Sequence, residues 1–297
     1  MANKINFTKM VASGNDFVII ENREPKTKNQ KLPFLAKNIC DRKFGVGADG
    51  LLVLEKSKIA DIRMRIFNAD GSEAEMCGNG ARCVALWLAK NQKPLVRIRL
   101  PSARSKIEVP KTDNREPITE NLTIQTKAGI IMAQVKANNV KIKMTEPKNI
   151  KLNLPIKVNN RTLHVNFINT GVPHTVIFVE GLEKIDVFNL GRMIRYHKRF
   201  SPQGTNVDFV EVLKDDSISL RTYERGVEDE TLACGTGAVA SAIIFNMQYP
   251  IRNMSKINVY TKSGQILIVY FKRTGNKFSE VWLEGKARMV FKGEFIY

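Results

Sequence analysis

The sequence predicts an α+β fold of two pseudo-symmetric domains, each with mixed or antiparallel sheet around a central helix. Many short strand-like stretches and few helical ones favour α+β over a doubly wound fold. The pattern Cys-Gly-x-Gly-Ala also occurs twice, at 77–81 and at 234–238. Each copy follows a strand-like stretch, at 61–67 and 217–223, and opens an apolar run of helical character. A repeated strand, glycine-rich turn and helix therefore predicts two similar halves.

Composition limits the class of protein. The 297 residues, 43% of them hydrophobic and 26% charged, suffice for one large or two medium domains with buried cores. No run approaches the ~18 apolar residues of a membrane span, and the start MANKINFTKM lacks the apolar segment of a secretion signal. Four cysteines are few for a disulfide scaffold and indicate a reducing compartment. We therefore expect a cytoplasmic protein with no membrane partner.

The charge is strongly basic, with 47 Lys and Arg against 29 Asp and Glu and a formal net charge of +18. Such an excess can indicate nucleic-acid binding. The basic residues are nevertheless scattered, and the densest group, at 192–199, also suits the solvated face of a short helix. We expect no nucleic-acid partner. A basic nucleic-acid-binding protein remains the non-enzymatic alternative, and it predicts binding that weakens steeply with salt.

Periodicity and turn residues place the elements of the first half. Apolar spacing predicts a helix at 32–40 and a second one from Arg82 to Ala89. The glycine-rich loop at 44–50 precedes a strand and lacks the lysine of a phosphate-binding loop, so a phosphate site there is weakly supported. The predicted strands lie at 5–10, 17–21, 51–54, 61–67, 122–126, 130–135 and 140–144. Between helix and meander, the basic stretch at 95–118 predicts a hairpin or a surface insertion.

The second half repeats this order. Helical signals occur at 182–196 and at 239–245, the second directly after the repeated cysteine pattern. The predicted strands lie at 163–169, 174–179, 207–212, 217–223, 257–260, 265–271, 278–283 and 288–291.

Cys77 and Cys234 are the candidates for chemistry, because each is expected at the N-terminus of a helix. A thiolate is a base and a nucleophile, with an ordinary pKa of about 8.5 that helix N-termini lower. The helix dipole contributes at most ~2 kcal/mol, which lowers a thiol pKa by about one unit. Amides after the thiols, at 78–79 and 235–236, would bind a developing negative charge. Two thiols on opposite faces of one carbon would invert it by proton transfer, without a cofactor.

Two long stretches carry a family resemblance. Residues 68–83 (NADGSEAEMCGNGARC) and 223–237 (YERGVEDETLACGTG) closely resemble the signatures of the diaminopimelate epimerase family. Shorter matches occur in the family's order at 13–17, 41–49, 169–174 and 204–209. The resemblance implies an active site in a cleft between two domains, at 1–144 plus 286–297 and at 145–285. It implies cofactor-independent interconversion of L,L- and meso-diaminopimelate, for lysine and peptidoglycan synthesis, by a homodimer.

The resemblance also assigns residues. Cys77 and Cys234 match the catalytic thiols, and His174 and Glu224 match the residues that tune their protonation. Arg225 is suited to the distal carboxylate, because its planar fork pairs with both oxygens. The matched substrate-binding positions are Asn15, Asn68, Gly78, Asn79, Asn206, Glu224, Arg225, Gly235 and Thr236. Val172 and Gly50 stand where other members carry asparagine and glutamine, so contacts there are expected to differ.

The residues also permit other interpretations. A related cofactor-free proline or hydroxyproline racemase is the alternative enzyme, and an isomerase of the phenazine type is disfavoured by the presence of both cysteines. No metal site is predicted, because closely spaced Cys and His pairs are missing from the sequence. Cys40 and Cys83 are expected to be buried and inert. His164 and His197 are expected to be structural.

Overall fold

The computed structural model describes residues 4–22, 32–91, 119–249 and 254–296. The predicted basic hairpin at 95–118 falls outside them. The helices are α1 (Leu32–Cys40), α2 (Gly78–Asn91), α3 (Val187–Arg195) and α4 (Gly235–Gln248). The strands are β1 (Lys4–Ala12), β2 (Asn15–Glu21), β3 (Gly50–Glu55), β4 (Ile62–Asn68), β5 (Glu73–Ala74), β6 (Thr119–Thr126), β7 (Gly129–Lys136), β8 (Asn139–Lys143), β9 (Lys148–Val158), β10 (Arg161–Asn169), β11 (Pro173–Phe178), β12 (Asn206–Lys214), β13 (Ser217–Glu224), β14 (Asp229–Thr231), β15 (Lys256–Thr261), β16 (Ile266–Thr274) and β17 (Lys277–Ile296).

The first half is a closed barrel around α2. Its strands pair in the circular order β1, β2, β3, β4, β6, β7, β8, β17 and back to β1. The β2–β3 and β4–β6 pairs are parallel and the others antiparallel, so the sheet is mixed. Helix α2 contacts most of these strands and is buried along almost its whole length. The parallel pairs are each connected through a helix, as parallel neighbours require a crossover.

The second half repeats this topology around α4. Its strands pair in the order β9, β10, β11, β12, β13, β15, β16, β17, with β11–β12 and β13–β15 parallel. Strand β17 serves both halves: its first part pairs with β16, and its last part pairs with β1. Short strands β5 and β14 occupy matching places, each beside the strand that precedes a thiol.

Three apolar clusters explain this arrangement. The largest joins the two central helices, with Val84 and Leu88 of α2 and Val239 and Ile243 of α4. The smaller two lie under α1 and under α3, which cover the outer faces of the two sheets. Strand β3 is buried on both faces, because alternate residues point toward α2 and toward α1. None of the helices in the described ranges is long and apolar enough to cross a membrane.

The predicted α+β class and the central helix in each half are confirmed. Both central helices begin four residues earlier than predicted, at Gly78 and Gly235, because the glycine-rich turns form their first turn. Strand β9 was missed, although apolar residues alternate along it at 150, 152, 154, 156 and 158, because Pro155 interrupts the pattern and most of its residues are exposed. The strands predicted at 278–283 and 288–291 are one strand, β17. The domain boundaries at 144 and 286 stay a prediction.

Candidate active site

Both candidate thiols lie where a central helix begins, as predicted. Cys77 directly precedes α2, and the amide of Gly80 donates to its Sγ at 3.4 Å. Cys234 is the N-cap of α4, with an extended backbone at φ −112° and ψ 115°. The free amides of each first turn therefore surround a sulfur atom, a setting that favours an anion.

The glycine three residues after each thiol is closely packed, more tightly at Gly237 than at Gly80. A Cβ at Gly80 would lie 3.2 Å from Cδ2 of Leu52 on β3. A Cβ at Gly237 would lie 2.5 Å from Oδ1 of Asp208 on β12. Leu52 and Asp208 thus occupy equivalent places in the two halves, one apolar and one a buried carboxylate.

A chain of polar groups leads away from Cys234. His174, at the start of β11, is fully buried, and its Nδ1 lies 2.7 Å from Oδ2 of Asp208. Its Nε2 lies 2.9 Å from Oγ1 of Thr236, which is 3.4 Å from Sγ of Cys234. Thr222 donates to the other oxygen of Asp208 at 2.8 Å. His174 is therefore connected to the thiol through a hydroxyl group.

Side-chain amides and a buried cation form a hydrogen-bond network in the first turn of α2, next to Cys77. The Asn79 side chain donates to Oδ1 of Asn15 and accepts from the guanidinium of Arg82. Arg82, which is fully buried, also donates to Oγ of Ser13 at 2.8 Å. Its Nε and Nη1 have no hydrogen-bond partner among the described residues. Asn15 in turn donates to Asp49 at 3.1 Å.

Glu224 connects the two thiols electrostatically. It ends β13, and burial raises its pKa. Its negative charge raises the pKa of Cys77 and the pKa of Cys234, although the two cysteines belong to different halves. Glu224 therefore influences the ionisation of both sulfurs.

The amides at the helix N-termini lower the thiol pKa values, as expected, but the net direction of both shifts is upward, opposite to the expected one. Burial raises the pKa of Cys77, and the amides of Gly80 and Asn79 offset only part of this effect. Burial raises the pKa of Cys234 well above its usual range, and the charges of Glu224 and Asp208 raise it further. Loss of hydration therefore outweighs the amides and the helix dipole at both sulfurs.

The predicted substrate-binding residues divide between the two thiols. Asn206 accepts from the amide of Arg225 at 2.8 Å and donates to the carbonyl of Pro173 at 3.0 Å, on the Cys234 side. The guanidinium of Arg225 donates to the carbonyl of Gln203 at 3.2 Å. The side chain of Asn68 donates to Ser72 within its own turn, at 2.9 Å.

Two residues of the site, Asp208 and Arg82, were missed. Each is a charged residue inside an otherwise apolar run, which is a signal that the sequence carries. A buried charge is costly unless it is paired or serves a function, so a lone charge in such a run points to a site.

Cys40 and Cys83 are buried, as predicted, and burial raises the pKa of Cys40 to about 12. In the ranges that the structure covers, no group of three His, Cys, Asp or Glu side chains could hold a metal ion.

Comparison with known proteins identifies the fold and the family. The sequence is similar to the diaminopimelate epimerase of Aquifex aeolicus (strain VF5), with 38% identity and 97% of each chain covered. It is 40% identical to that of Caldanaerobacter subterraneus subsp. tengcongensis, with 98% of this chain and 99% of the relative covered.

Two solved structures share the fold at low identity. A phenazine biosynthesis protein of the PhzF family from Bacillus anthracis matches with a TM-score of 0.69 and 19% identity, covering 98% and 99% of the two chains. A hydroxyproline epimerase from Agrobacterium vitis, with bound trans-4-hydroxy-L-proline, matches with a TM-score of 0.68 and 14% identity, covering 99% and 92%. Both relatives have the same two-domain architecture of mixed sheet as this chain.

The family model of diaminopimelate epimerase matches residues 7–150 and 166–290, one segment in each half and each containing one of the two thiols. The chain belongs to the diaminopimelate epimerase family and is an isomerase of the epimerase type.

Proposed function

We propose that this protein interconverts L,L- and meso-diaminopimelate, with Cys77 and Cys234 transferring protons on opposite faces of one α-carbon and without a cofactor. The observation that carries the proposal is the matching position of Cys77 and Cys234 at the N-termini of α2 and α4, two central helices that contact each other. A substrate carbon bound between these helix N-termini would have a sulfur on each side. Membership of the family supports diaminopimelate as the substrate.

The reaction needs one thiolate and one thiol. The thiolate takes the α-proton, so the C–H bond breaks, an S–H bond forms and the electron pair stays on the substrate. The opposite thiol then gives its proton to the other face of the carbon, and the two sulfurs have exchanged roles. Amides of Gly78, Asn79, Gly235 and Thr236 are proposed to bind the α-carboxylate, which carries the developing charge.

The surroundings of the sulfurs indicate which thiol is the more acidic. Burial raises the pKa of both thiols, and at Cys77 the charge of Arg82 offsets part of this rise while Glu224 adds to it. Cys234 faces two carboxylates, Glu224 and Asp208, and its pKa is raised the more strongly. Cys77 is therefore proposed as the thiol that gives up its proton first, and Cys234 as the one that keeps it.

The distal end of the substrate is assigned to polar groups next to the thiols. Arg225 is proposed to hold the distal carboxylate, because a guanidinium binds both carboxylate oxygens. Asn15, Asn68 and Asn206 are proposed to position the remaining polar groups of the substrate. Glu224, whose charge acts on both sulfurs, and His174, connected to Cys234, are proposed to adjust their protonation.

The proposed substrate also implies an oligomeric state, a cellular compartment and a metabolic role. The protein would act as a homodimer in the cytoplasm and supply a precursor of lysine and peptidoglycan. Sedimentation equilibrium of the full chain tests the dimer, since a monomer at micromolar concentration would contradict it.

Hydrogen exchange at the α-carbon tests the reaction directly. The purified protein is incubated with L,L-diaminopimelate in heavy water, with a chelator present and without pyridoxal phosphate. We expect the α-hydrogen signal to disappear and the meso isomer to form. L-proline serves as the control substrate and should not exchange. Absence of exchange with diaminopimelate, or inhibition by the chelator, would overturn the proposal.

A further inference from the structure

We propose that the hydroxyl of Thr236 carries the proton between Cys234 and His174, and that Asp208 fixes His174 in the tautomer that accepts it. This inference rests on the proposed role of Cys234. It makes the Thr236 side chain a catalytic residue, because its oxygen contacts the reacting sulfur. Asp208, which acts through His174, is a positioning residue.

The hydrogen-bond partners determine the direction of every donor. Asp208 accepts from the hydroxyl of Thr222 through Oδ1, and its Oδ2 faces Nδ1 of His174 at 2.7 Å. A carboxylate only accepts, so the proton lies on Nδ1 and Nε2 is left as an acceptor. The hydroxyl of Thr236, at 2.9 Å, donates to that nitrogen.

A second donor supports the same tautomer. The side-chain amide of Asn206 lies 3.4 Å from Nε2 of His174, and an amide nitrogen only donates. With its own proton used toward His174, the Thr236 oxygen is free to accept from the S–H of Cys234, 3.4 Å away. Along the chain Cys234, Thr236, His174 and Asp208, each group therefore donates to the next one.

The proton balance is simple. The S–H bond of Cys234 breaks as an O–H bond forms on Thr236, while the original hydroxyl proton of Thr236 forms an N–H bond at Nε2. Thr236 ends unchanged, Cys234 becomes a thiolate and His174 becomes an imidazolium beside the Asp208 carboxylate. The reverse transfer restores the thiol, so no oxidant or further reactant is required.

Among the residues that the structure describes, no equivalent chain of polar groups surrounds Cys77. The position of Asp208 is occupied by Leu52 in the first half, as the packing around Gly80 and Gly237 shows. The position of Thr236 is occupied by Asn79, which bonds to Asn15 and Arg82. The relay is therefore a feature of the Cys234 half and not of the repeated frame.

Nitrogen NMR tests the tautomer without reference to substrate. The chain has three histidines, so ¹⁵N-histidine labelling gives few signals, and His174→Gln assigns the one that matters. We expect His174 to be protonated at Nδ1 and unprotonated at Nε2. In Asp208→Asn, the new amide should keep its oxygen toward Thr222 and present its NH₂ to Nδ1, which moves the proton to Nε2. A wild-type signal protonated only at Nε2 would overturn the inference.

Kinetics of matched threonine variants test the relay. Thr236→Val keeps the shape and the backbone amide but removes the hydroxyl, and we expect kcat to fall about 10²-fold, the low end of a proton-transfer contribution, with KM little changed. Thr236→Ser should restore most of the rate. Thr175→Val is the matched control, because Thr175 is fully buried on β11 and bonds to Thr205 at 3.1 Å. It should leave kcat near the wild-type value.

The outcomes separate this inference from the proposed function. If Thr236→Val retains the wild-type kcat, the relay is wrong while two-thiol epimerisation stands. If wild-type protein exchanges no α-hydrogen of diaminopimelate, the proposed function is wrong, whatever tautomer His174 shows. If Thr236→Ser is as slow as Thr236→Val, the hydroxyl is not the active group and the relay is also wrong.

Discussion

The two halves of the molecule have one frame but opposite charges around their thiols. Position 52 is a leucine and its counterpart, position 208, is an aspartate. Five residues after Cys77 lies Arg82, and five residues after Cys234 lies Val239, and all four of these side chains are fully buried. The first half thus places a cation near its sulfur, and the second half places a carboxylate near its own.

This difference gives the two thiols unequal acidities. Two identical sites would have equal pKa values, and neither thiol would lose its proton first. With a cation on one side and carboxylates on the other, the pKa of Cys234 is raised more strongly than that of Cys77, although both thiols are buried in the same backbone frame. The duplicated frame supplies the amides and the geometry, whereas a few substitutions within it supply the difference in acidity.

Removal of either sulfur should have the largest effect. Because each proton transfer needs its own thiol, Cys77→Ala and Cys234→Ala should each lower kcat by about 10³-fold or more, since positioned acids and bases contribute 10²–10⁴-fold. Chiral chromatography of the product measures this. Cys40→Ala is the control, because Cys40 is buried at the end of α1, and it should retain activity. Substantial turnover by either thiol variant would show that the reaction does not need both sulfurs, and the two halves would then have no contrasting catalytic roles.

The paired glycines test the contrast between Leu52 and Asp208. In Gly237→Ala, the new methyl group would lie 2.5 Å from Oδ1 of Asp208 and displace it from His174. We expect kcat to fall about 10²-fold, the effect of a misplacement near 1 Å. In Gly80→Ala, the methyl group meets the movable end of Leu52 at 3.2 Å, so the loss should be much smaller. Equal losses in the two variants would contradict the assigned role of Asp208.

Arg82→Met tests the cation of the first half. Arg82 lowers the pKa of Cys77, against Glu224, which raises it. The variant should therefore raise that pKa further and lower kcat/KM at neutral pH, because a smaller share of the thiol is ionised there. In the pH profile, the ascending limb should move to higher pH. Val239→Ala, at the matching position near Cys234, should not shift the ascending limb of the pH profile. If Arg82→Met does not shift it either, the charge of Arg82 does not act on the ionisation of Cys77.

The sequence was sufficient for the repeated frame, and the reasons are physical. The strands and helices follow from apolar spacing, and the thiol positions follow from the glycine-rich turn that opens α2 and α4. Burial of the thiols depends on packing between α2, α4 and β17, which no local pattern contains, so the direction of their pKa shifts was predicted wrongly. Asp208 and Arg82 were missed for the same reason, because their partners lie on other strands.

One feature is the same in both halves and offers the smallest expected effect. Arg65 of β4 forms a bidentate salt bridge with Glu73 of β5, with N–O distances of 2.8 and 3.1 Å. Arg221 of β13 forms the same bond with Glu230 of β14, at 2.7 and 2.9 Å. Each salt bridge holds the short strand before a thiol against the neighbouring longer strand.

Glutamine variants of these two carboxylates should differ modestly in stability. Glu230 is the less exposed side chain, 11% against 28% for Glu73, and it also pairs with Lys262. We expect Glu73→Gln to lower the free energy of unfolding by about 1 kcal/mol, and Glu230→Gln by about 2 kcal/mol, as for hydrogen bonds to charged groups. Urea titrations at neutral pH measure both.

The pH dependence gives the sign of the same effect. The Arg65 hydrogen bond lowers the pKa of Glu73, and at Glu230 burial raises the pKa but Arg221 and Lys262 outweigh it, so that pKa is lowered too. A lowered folded-state pKa gives stability that is fully present above the unfolded value of about 4.3 and is lost as the pH falls through the folded value. The difference between wild type and each variant should therefore be constant at neutral pH and shrink below about pH 4.3. A difference that instead grew in acid would show that the glutamine variants act by packing and not by charge.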